Sequence, residues 1–323
     1  STAIVASTVA STTPVTYGTS VDYTATVAGT NVPPTGTVSF SDGKITLGTC
    51  LLVSGSCTIT TSRTSVGTSG IVVSYPGDSI YLPSTSDPLA RLVVPAGSST
   101  TLTVTPNPSV HGATLTFAVA VTTGDGSVAT GTVSVSDGAT TVGTCSLTSG
   151  GACSFTSTAL AVGTRTLLAS YSGDANRVGS TSAAWTQTVD RAASTTTLAG
   201  LPNPSRYGAP VTLTVAVSAS DGIPTGTVSL SDGGAFLGTC SLTSGGSCTY
   251  TTSALSVGSH AITALYSGDT NRYGSSSPVV TQVVDRALST TRLAVTPNPS
   301  VHGGTVTLTA SVTTGDGGTA TGS

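Results

Sequence analysis

Leu115-Thr116-Phe117-Ala118-Val119-Ala120-Val121 decides the fold. Apolar side chains alternate with small or hydroxyl-bearing ones, so one face of the segment is apolar and the other is not. Successive side chains of a strand leave on opposite faces. A period of two therefore marks a half-buried strand of an antiparallel sheet. The pattern returns as Val211-Thr212-Leu213-Thr214-Val215-Ala216-Val217. Thr and Val, whose branched Cβ suits a pleated surface, fill such stretches along the chain, and no segment carries a helical period.

Outward from this strand, the spacing predicts seven strands near residues 100–105, 114–122, 132–136, 141–147, 153–158, 164–171 and 183–189. Turn signals separate them: Pro-Asn-Pro, Gly-Asp-Gly, Ser-Asp-Gly, Ser-Gly-Gly, Val-Gly and Ser-Gly-Asp. Seven short strands in about 95 residues predict an all-β, immunoglobulin-like sandwich. Parity assigns its core to Leu115, Phe117, Val119, Val121, Val133, Val135, Phe155, Leu167, Ala169, Tyr171 and Trp185.

The unit recurs. Gly-Thr-Val-Ser begins at Gly36, Gly131 and Gly226, and Pro-Asn-Pro-Ser at Pro106, Pro202 and Pro297. Tyr-Ser-Gly-Asp begins at Tyr171 and Tyr266, with Tyr75-Pro76-Gly77-Asp78 as its first version. Self-similarity at this period marks an array. It divides the chain into repeats over 1–97, 98–193 and 194–288, and a partial fourth repeat over 289–323 that holds only the first two strands.

All six cysteines fall in one motif, Gly-Thr-Cys followed by a second Cys after a short turn: Cys50 and Cys57, Cys145 and Cys153, Cys240 and Cys248. Paired cysteines read as disulfides formed in an oxidising compartment. Two thiolates per repeat, with no further ligand at the right spacing, do not make a zinc site. Each pair reads as a local hairpin staple facing the core. In the chain-entropy view each stabilises its repeat by about 2.5 kcal/mol, and reduction is expected to lower the melting temperature without changing the topology.

The Pro-Asn-Pro-Ser opening, Gly-Thr-Val-Ser, the Ala-Leu-x-Val-Gly turn (Ala159–Gly163 and Ala254–Gly258) and the Tyr-Ser-Gly-Asp ending resemble bacterial Ig-like repeats. The resemblance covers nearly the whole chain. It implies tandem domains of large secreted or cell-surface proteins, as in the stalks of adhesins, with no catalytic site of their own.

Strand direction places the end of one repeat against the start of the next. The linkers Val189-Asp190-Arg191-Ala192 and Val284-Asp285-Arg286-Ala287 are short. The Pro-Asn-Pro-Ser and Ala-Leu-x-Val-Gly turns of one repeat are thus expected to meet the Gly-Asp-Gly and Asn-Arg loops of the next, in a semi-rigid rod that gains roughly 35–45 Å per repeat.

Only 7% of residues are charged and 4% aromatic, and the net charge is −3. No basic patch exists for nucleic acid. No apolar run reaches the ~20 residues of a membrane span. Met is absent, so Ser1 reads as the start of a processed product or an excerpt. Asn107, Asn203 and Asn298 each precede Pro, which removes them as glycosylation acceptors. Outward Thr and Ser are candidate sites for O-linked sugars or simply a polar strand surface.

The candidate binding residues lie in the loops before the last strand: Asp174, Asn176 and Arg177 in repeat 2, and Asp269, Asn271, Arg272 and Tyr273 in repeat 3. They read as a grip for a glycan or receptor, or as turn residues with the Arg packed on the neighbouring repeat. The first repeat carries Tyr81-Leu82 instead, an inconsistency that favours structure over binding. No acidic cluster surrounds the Asp-x-Asn spacing, so no metal is expected there. Asp42, Asp137 and Asp232, each before Gly, read as hairpin-turn residues. His111 and His302 share one turn position, held by Tyr207 in repeat 3, and His260 lies on a strand. No Ser-His-Asp arrangement emerges, so no catalysis and no cofactor are expected. Trp185 reads as core in place of Val280.

The composite expectation is an extracellular or cell-surface stalk or fibre segment whose partners are its own neighbouring repeats. The alternatives are a carbohydrate- or receptor-binding module, an accessory region of a secreted enzyme, and a filament subunit whose partial fourth repeat is completed by strands of another copy. The partial repeat also reads as an excerpt of a longer array, or as a disordered tail.

Overall fold

The alternating stretches are strands. The computed structural model describes residues 2–7 and 13–321, and every regular element among them is a strand. Among the described residues no helix is long and apolar enough to cross a membrane.

Repeat 2 shows the plan. One sheet joins Ser98–Thr105, Leu115–Thr123 and Ala152–Ser157. The other runs Ser109–Val110, Trp185–Asp190, Gly163–Tyr171, Thr132–Asp137, Thr140–Ser146, with Ser180–Thr181 added beside Gly163–Tyr171. Repeats 1 and 3 have the same strand orders. Register puts the alternating faces together: Val104 opposite Phe117 and Phe117 opposite Phe155 in one sheet, Val135 opposite Ala169 in the other.

Nine of the eleven core residues expected from parity are buried. Phe155 and Trp185 are half-buried instead. Phe155 sits on an edge strand, stacked on Phe117 with ring centroids 4.7 Å apart. Trp185 stands at the start of its strand, and its indole nitrogen donates to Gln187 Oε1 at 3.3 Å. Gln187 itself is fully buried, as are Gln282 in repeat 3 and Arg91 at the same place in repeat 1.

Gln187 explains the Pro-Asn-Pro-Ser motif. The first strand leaves one sheet there and resumes in the other. Gln187 Nε2 donates to the carbonyls of Pro106 at 2.9 Å and Thr188 at 3.2 Å, and to Ser109 Oγ at 3.2 Å. Asn107 pairs with the last strand as a backbone would: Nδ2 donates to Thr186 O at 2.8 Å and Oδ1 accepts from Thr188 N at 3.1 Å. Gln282 and Asn203 repeat the arrangement with Pro202, Thr281 and Val283. The polar side chains supply the hydrogen bonds that the chain forgoes as it crosses between sheets.

All three cysteine pairs are disulfides, but the hairpin expectation needs correction. Thr140–Ser146 pairs with Thr132–Asp137, and Ala152–Ser157 pairs with Leu115–Thr123. Cys145 and Cys153 therefore belong to opposite sheets and join their free edges. Gly143, two residues before Cys145, leaves room for the Phe155 ring, as Gly238 does for Tyr250. The Gly of Gly-Thr-Cys is thus a packing requirement between the sheets.

By contact density the chain forms two compact units. The first comprises Ser1–Ser109, Thr114–Ala159 and Thr164–Thr188, and the second Val110–Ala113, Leu160–Gly163 and Val189–Ser323. Two turns of repeat 2, at 110–113 and 160–163, group with repeat 3. In the fourth repeat, Ser289–Thr296 and Thr307–Thr314 form a two-stranded antiparallel sheet on which Leu293 and Leu308 are exposed.

Candidate functional site

The loops singled out in the sequence begin with a tie inside each repeat. Gly173, at φ +86°, turns the chain after Tyr171. Asp174 then accepts from the amides of Thr130 at 3.1 Å and Asn176 at 2.9 Å, from the Tyr171 hydroxyl at 3.0 Å, and from Arg177 at 3.0 Å. Burial alone would raise its pKa, but these donors outweigh it and hold the carboxyl at about 2. Asp269 is tied in the same way to Thr225, Asn271 and Arg272, and is likewise held below the usual carboxylate range. Burial and the Asp269 carboxylate push the Tyr266 phenol up to about 12. Asp78 ties the first repeat through Thr35, Ile80 and Tyr81.

The guanidinium groups continue inward. Arg177 is buried and forks onto Asp125, Nε to Oδ1 at 3.1 Å and Nη2 to Oδ2 at 2.9 Å. Ser127 Oγ also contacts Asp125 Oδ2 and Arg177 Nη2. The Arg177 side chain holds the Asp125 carboxyl far below its ordinary range. In repeat 3, Arg272 Nε meets Asp221 Oδ1 at 2.6 Å, while its two Nη groups donate to the Asp221 and Ile223 carbonyls and to Asp269.

Each cluster receives the turn of the preceding repeat. The Tyr17 ring lies 5.8 Å from the Arg177 guanidinium carbon, within cation–π range. His111 Nδ1 lies 2.7 Å from Asp221 Oδ2. Gly18 and Gly112, at φ +86° and +78°, face the Asp125 and Asp221 side chains so closely that a Cβ on either would fall within 2.6 Å of the facing Asp Cβ. Gly208 faces Asp316 in the same way. Glycine is required here both for backbone conformation and for close approach.

The linker completes the joint. Ala96, fully buried, donates its amide to Asn176 O at 2.9 Å and accepts from Val178 N at 3.0 Å. Ala192 repeats this with Asn271 O and Tyr273 N, both at 2.9 Å. The linkers are therefore paired in parallel with the following repeat's loop. The turns are held back onto their own repeats by Tyr17 N to Val94 O and His111 N to Asp190 O, each 2.8 Å.

Of the residues expected to form a grip, Asp174 and Arg177 come together, as do Asp269 and Arg272, each pair around a further buried Asp. Asn176 and Asn271 contribute main-chain atoms to the joint, while the Tyr273 side chain is exposed. The turns at Tyr17-Gly18 and His111-Gly112 meet the loops that carry Asp125 and Asp221, whereas the Pro-Asn-Pro-Ser segment expected to do so pairs through Asn107 and Asn203 with the last strand of its own repeat. That Asp125 and Asp221 receive the two guanidinium groups, and that Ala96 and Ala192 pair with the following loop, was not anticipated. A signal for the acids does exist: Asp precedes Gly in the loop before Gly-Thr-Val-Ser only where Arg follows in the later loop, and repeat 1, with Thr30-Asn31, has Tyr81 instead.

Sandwiches in tandem, with the linker residues Ala96 and Ala192 each paired to a loop of the repeat that follows, define an array of Ig-like domains. The chain belongs to the family of bacterial Ig-like domains of group 3, whose profile matches residues 8–94, 102–190 and 198–285. No curated protein sequence matches it. Among known structures, a tetra-tandem repeat from the extending region of a large adhesion protein is 14% identical, covering 98% of this chain and 89% of that one, with a TM-score of 0.46. The Escherichia coli adhesin FdeC is also 14% identical, covering 87% of this chain and 96% of its own, with a TM-score of 0.29. A Ca²⁺-stabilized adhesin of an Antarctic bacterium is 18% identical over 92% and 78%, with a TM-score of 0.26.

Proposed function

We propose that the chain is a structural segment of an extracellular or cell-surface stalk, whose repeats set distance and carry load without chemistry of their own. The observation that carries this reading is the use of the charged loops in joints. Arg177 and Arg272 are buried against acids of their own repeats and beside the preceding repeat's turn. Three sheet-to-sheet disulfides support an oxidising compartment.

Pulling the chain end to end by single-molecule force spectroscopy, with and without reductant, tests the mechanical half. Three similar unfolding events are expected, with contour gains that lengthen when the disulfides are reduced, since reduction frees the closed loops. Immunogold labelling of intact source cells tests the other half. Label confined to the cell interior, with the cysteines found as free thiols, would remove the stalk reading.

A further inference from the structure

The first and last strands of a repeat lie in different sheets. In repeat 3 the first strand, Ser194–Leu201, pairs with Val211–Ala219 in the three-stranded sheet, and the last strand, Val280–Asp285, lies in the larger one. A pull on the two ends of the repeat therefore acts between the sheets. Hydrophobic burial is non-directional, so the directional ties along this edge decide how the first slip begins. They belong to the crossing segment 202–204 and to the short strand that follows it, Ser205–Arg206.

Ser205–Arg206 runs parallel to the last strand, Ser205 opposite Val284 and Arg206 opposite Asp285, and Tyr207 N donates to Asp285 O at 2.8 Å. The pull draws the short strand back along its own axis and the last strand forward. Parallel strands drawn this way slide along their length, so the bonds between them are loaded together and not one after another. The backbone ladder is short, and side chains extend it toward the side from which the load arrives. Asn203 Nδ2 donates to Thr281 O at 2.7 Å, and its Oδ1 accepts from Val283 N at 2.9 Å. Gln282 Nε2 reaches back to Pro202 O at 2.8 Å and to Ser205 Oγ at 3.4 Å. Repeat 2 has the same set on Asn107 and Gln187. Repeat 1 makes the tie differently: Thr13 stands in the place of Asn203, and its carbonyl accepts from Arg91 Nη1 at 3.3 Å.

We propose that Asn203 with Gln282, and Asn107 with Gln187, form a side-chain latch that sets the force at which their repeats give way. The latch presupposes the reading of the chain as a load-carrying stalk, and it names the residues through which the load passes.

The test is single-molecule pulling of the full chain carrying Asn203→Ala, with Ser277→Ala as control. Asn203 is exposed, so the substitution removes two bonds of the latch and leaves the core intact. Ser277 also makes two bonds, from Ala264 N at 3.0 Å and to Pro278 O at 2.8 Å, but before the last strand begins and away from the load. Forced unfolding follows the unfolding rate. With Asn203→Ala, one of the three unfolding events should quicken roughly tenfold or more at a given force, while the other two stay in place. Ser277→Ala should lower the equilibrium stability of repeat 3 in denaturant at least as much, yet leave all three events near those of the native chain. The latch is overturned if Asn203→Ala moves no event, or if both variants shift the event in proportion to their equilibrium losses, as general destabilisation does. Either result leaves the stalk reading standing. Labelling confined to the cell interior, by contrast, removes the stalk and leaves the measured forces as they are.

Discussion

Asp125 and Arg177 are each almost wholly removed from water, so neither charge is tolerable without the other. Asp125→Ala would leave a guanidinium with Asp174 as its one remaining carboxylate. Repeat 2 should lose roughly 3 kcal/mol of stability, the scale of breaking a buried pair from one side. Chemical denaturation followed by NMR signals of each repeat would measure this, and an equal loss in repeat 3 would contradict the local assignment. A second residue gives a pH prediction. His260 Nδ1 lies 2.6 Å from Asp232 Oδ2 and its Nε2 lies 2.8 Å from the Ser256 carbonyl. Both partners are acceptors, so the ring is fully satisfied only when doubly protonated. The Asp232 carboxylate, then the Ser256 carbonyl, raise its pKa above the ordinary 6.5. A raised folded-state value means that the stabilisation is complete below the unfolded value of about 6.5 and is lost as pH rises through the folded one. The melting temperature of repeat 3 should therefore fall across that interval relative to His260→Arg, a substitution borrowed from repeat 2, where Arg165 faces Asp137. Parallel curves for the two proteins would refute it.

At the scale of elements, the strands were legible because alternation is a local property and Thr and Val reinforce it. Leu115–Thr123 and Gly163–Tyr171 could be read within a residue or two. Sheet membership was not legible, since pairing of Thr140–Ser146 with Thr132–Asp137 is decided by tertiary packing. The short turn before Cys153 looks like a hairpin whether or not its strands stay together. Gln187 was missed for a related reason: an amide inside an alternating strand counts as polar, and only the crossing strand's unpaired carbonyls make it useful in the core. The joint was half legible. Short linkers announced contact between turns and loops, but the acids that receive Arg177 and Arg272 lie about 50 residues earlier, beyond the reach of local pattern. The sheet-edge packing gives its own prediction. A Cβ at Gly143 would press into the Phe155 ring, whereas at Gly48 it would sit 3.2 Å from the tip of Ile59. Gly143→Ala should cost about 1–3 kcal/mol, as overpacking does, and Gly48→Ala less. A double-mutant cycle with Phe155→Leu should recover most of the Gly143→Ala loss. Purely additive effects would place the clash elsewhere.

For the molecule as a whole, the question is whether repeats move as linked or independent bodies, and the linker decides it. Arg191 is exposed, and the Arg191–Ala192 bond would be a ready trypsin site in a flexible connection. Ala192, however, is 3% exposed and bonded through both its amide and its carbonyl to the loop of repeat 3. Cleavage then requires the clip to open, so its rate follows the population of the opened form. Ala192→Glu forces a carboxylate into that buried place. If the misfit is worth about 3 kcal/mol, opening rises roughly a hundredfold, and cutting after Arg191 should accelerate by a similar factor while each repeat keeps its own melting temperature. Leu265→Glu, on an exposed strand position of repeat 3, controls for added charge and should leave the rate near that of the native chain. Rapid cutting of the native chain at Arg191 would show that the linker is not clipped in solution. The repeats would then be joined by a tether, and the force carried between them would pass through extended chain before it reached any of the paired strands.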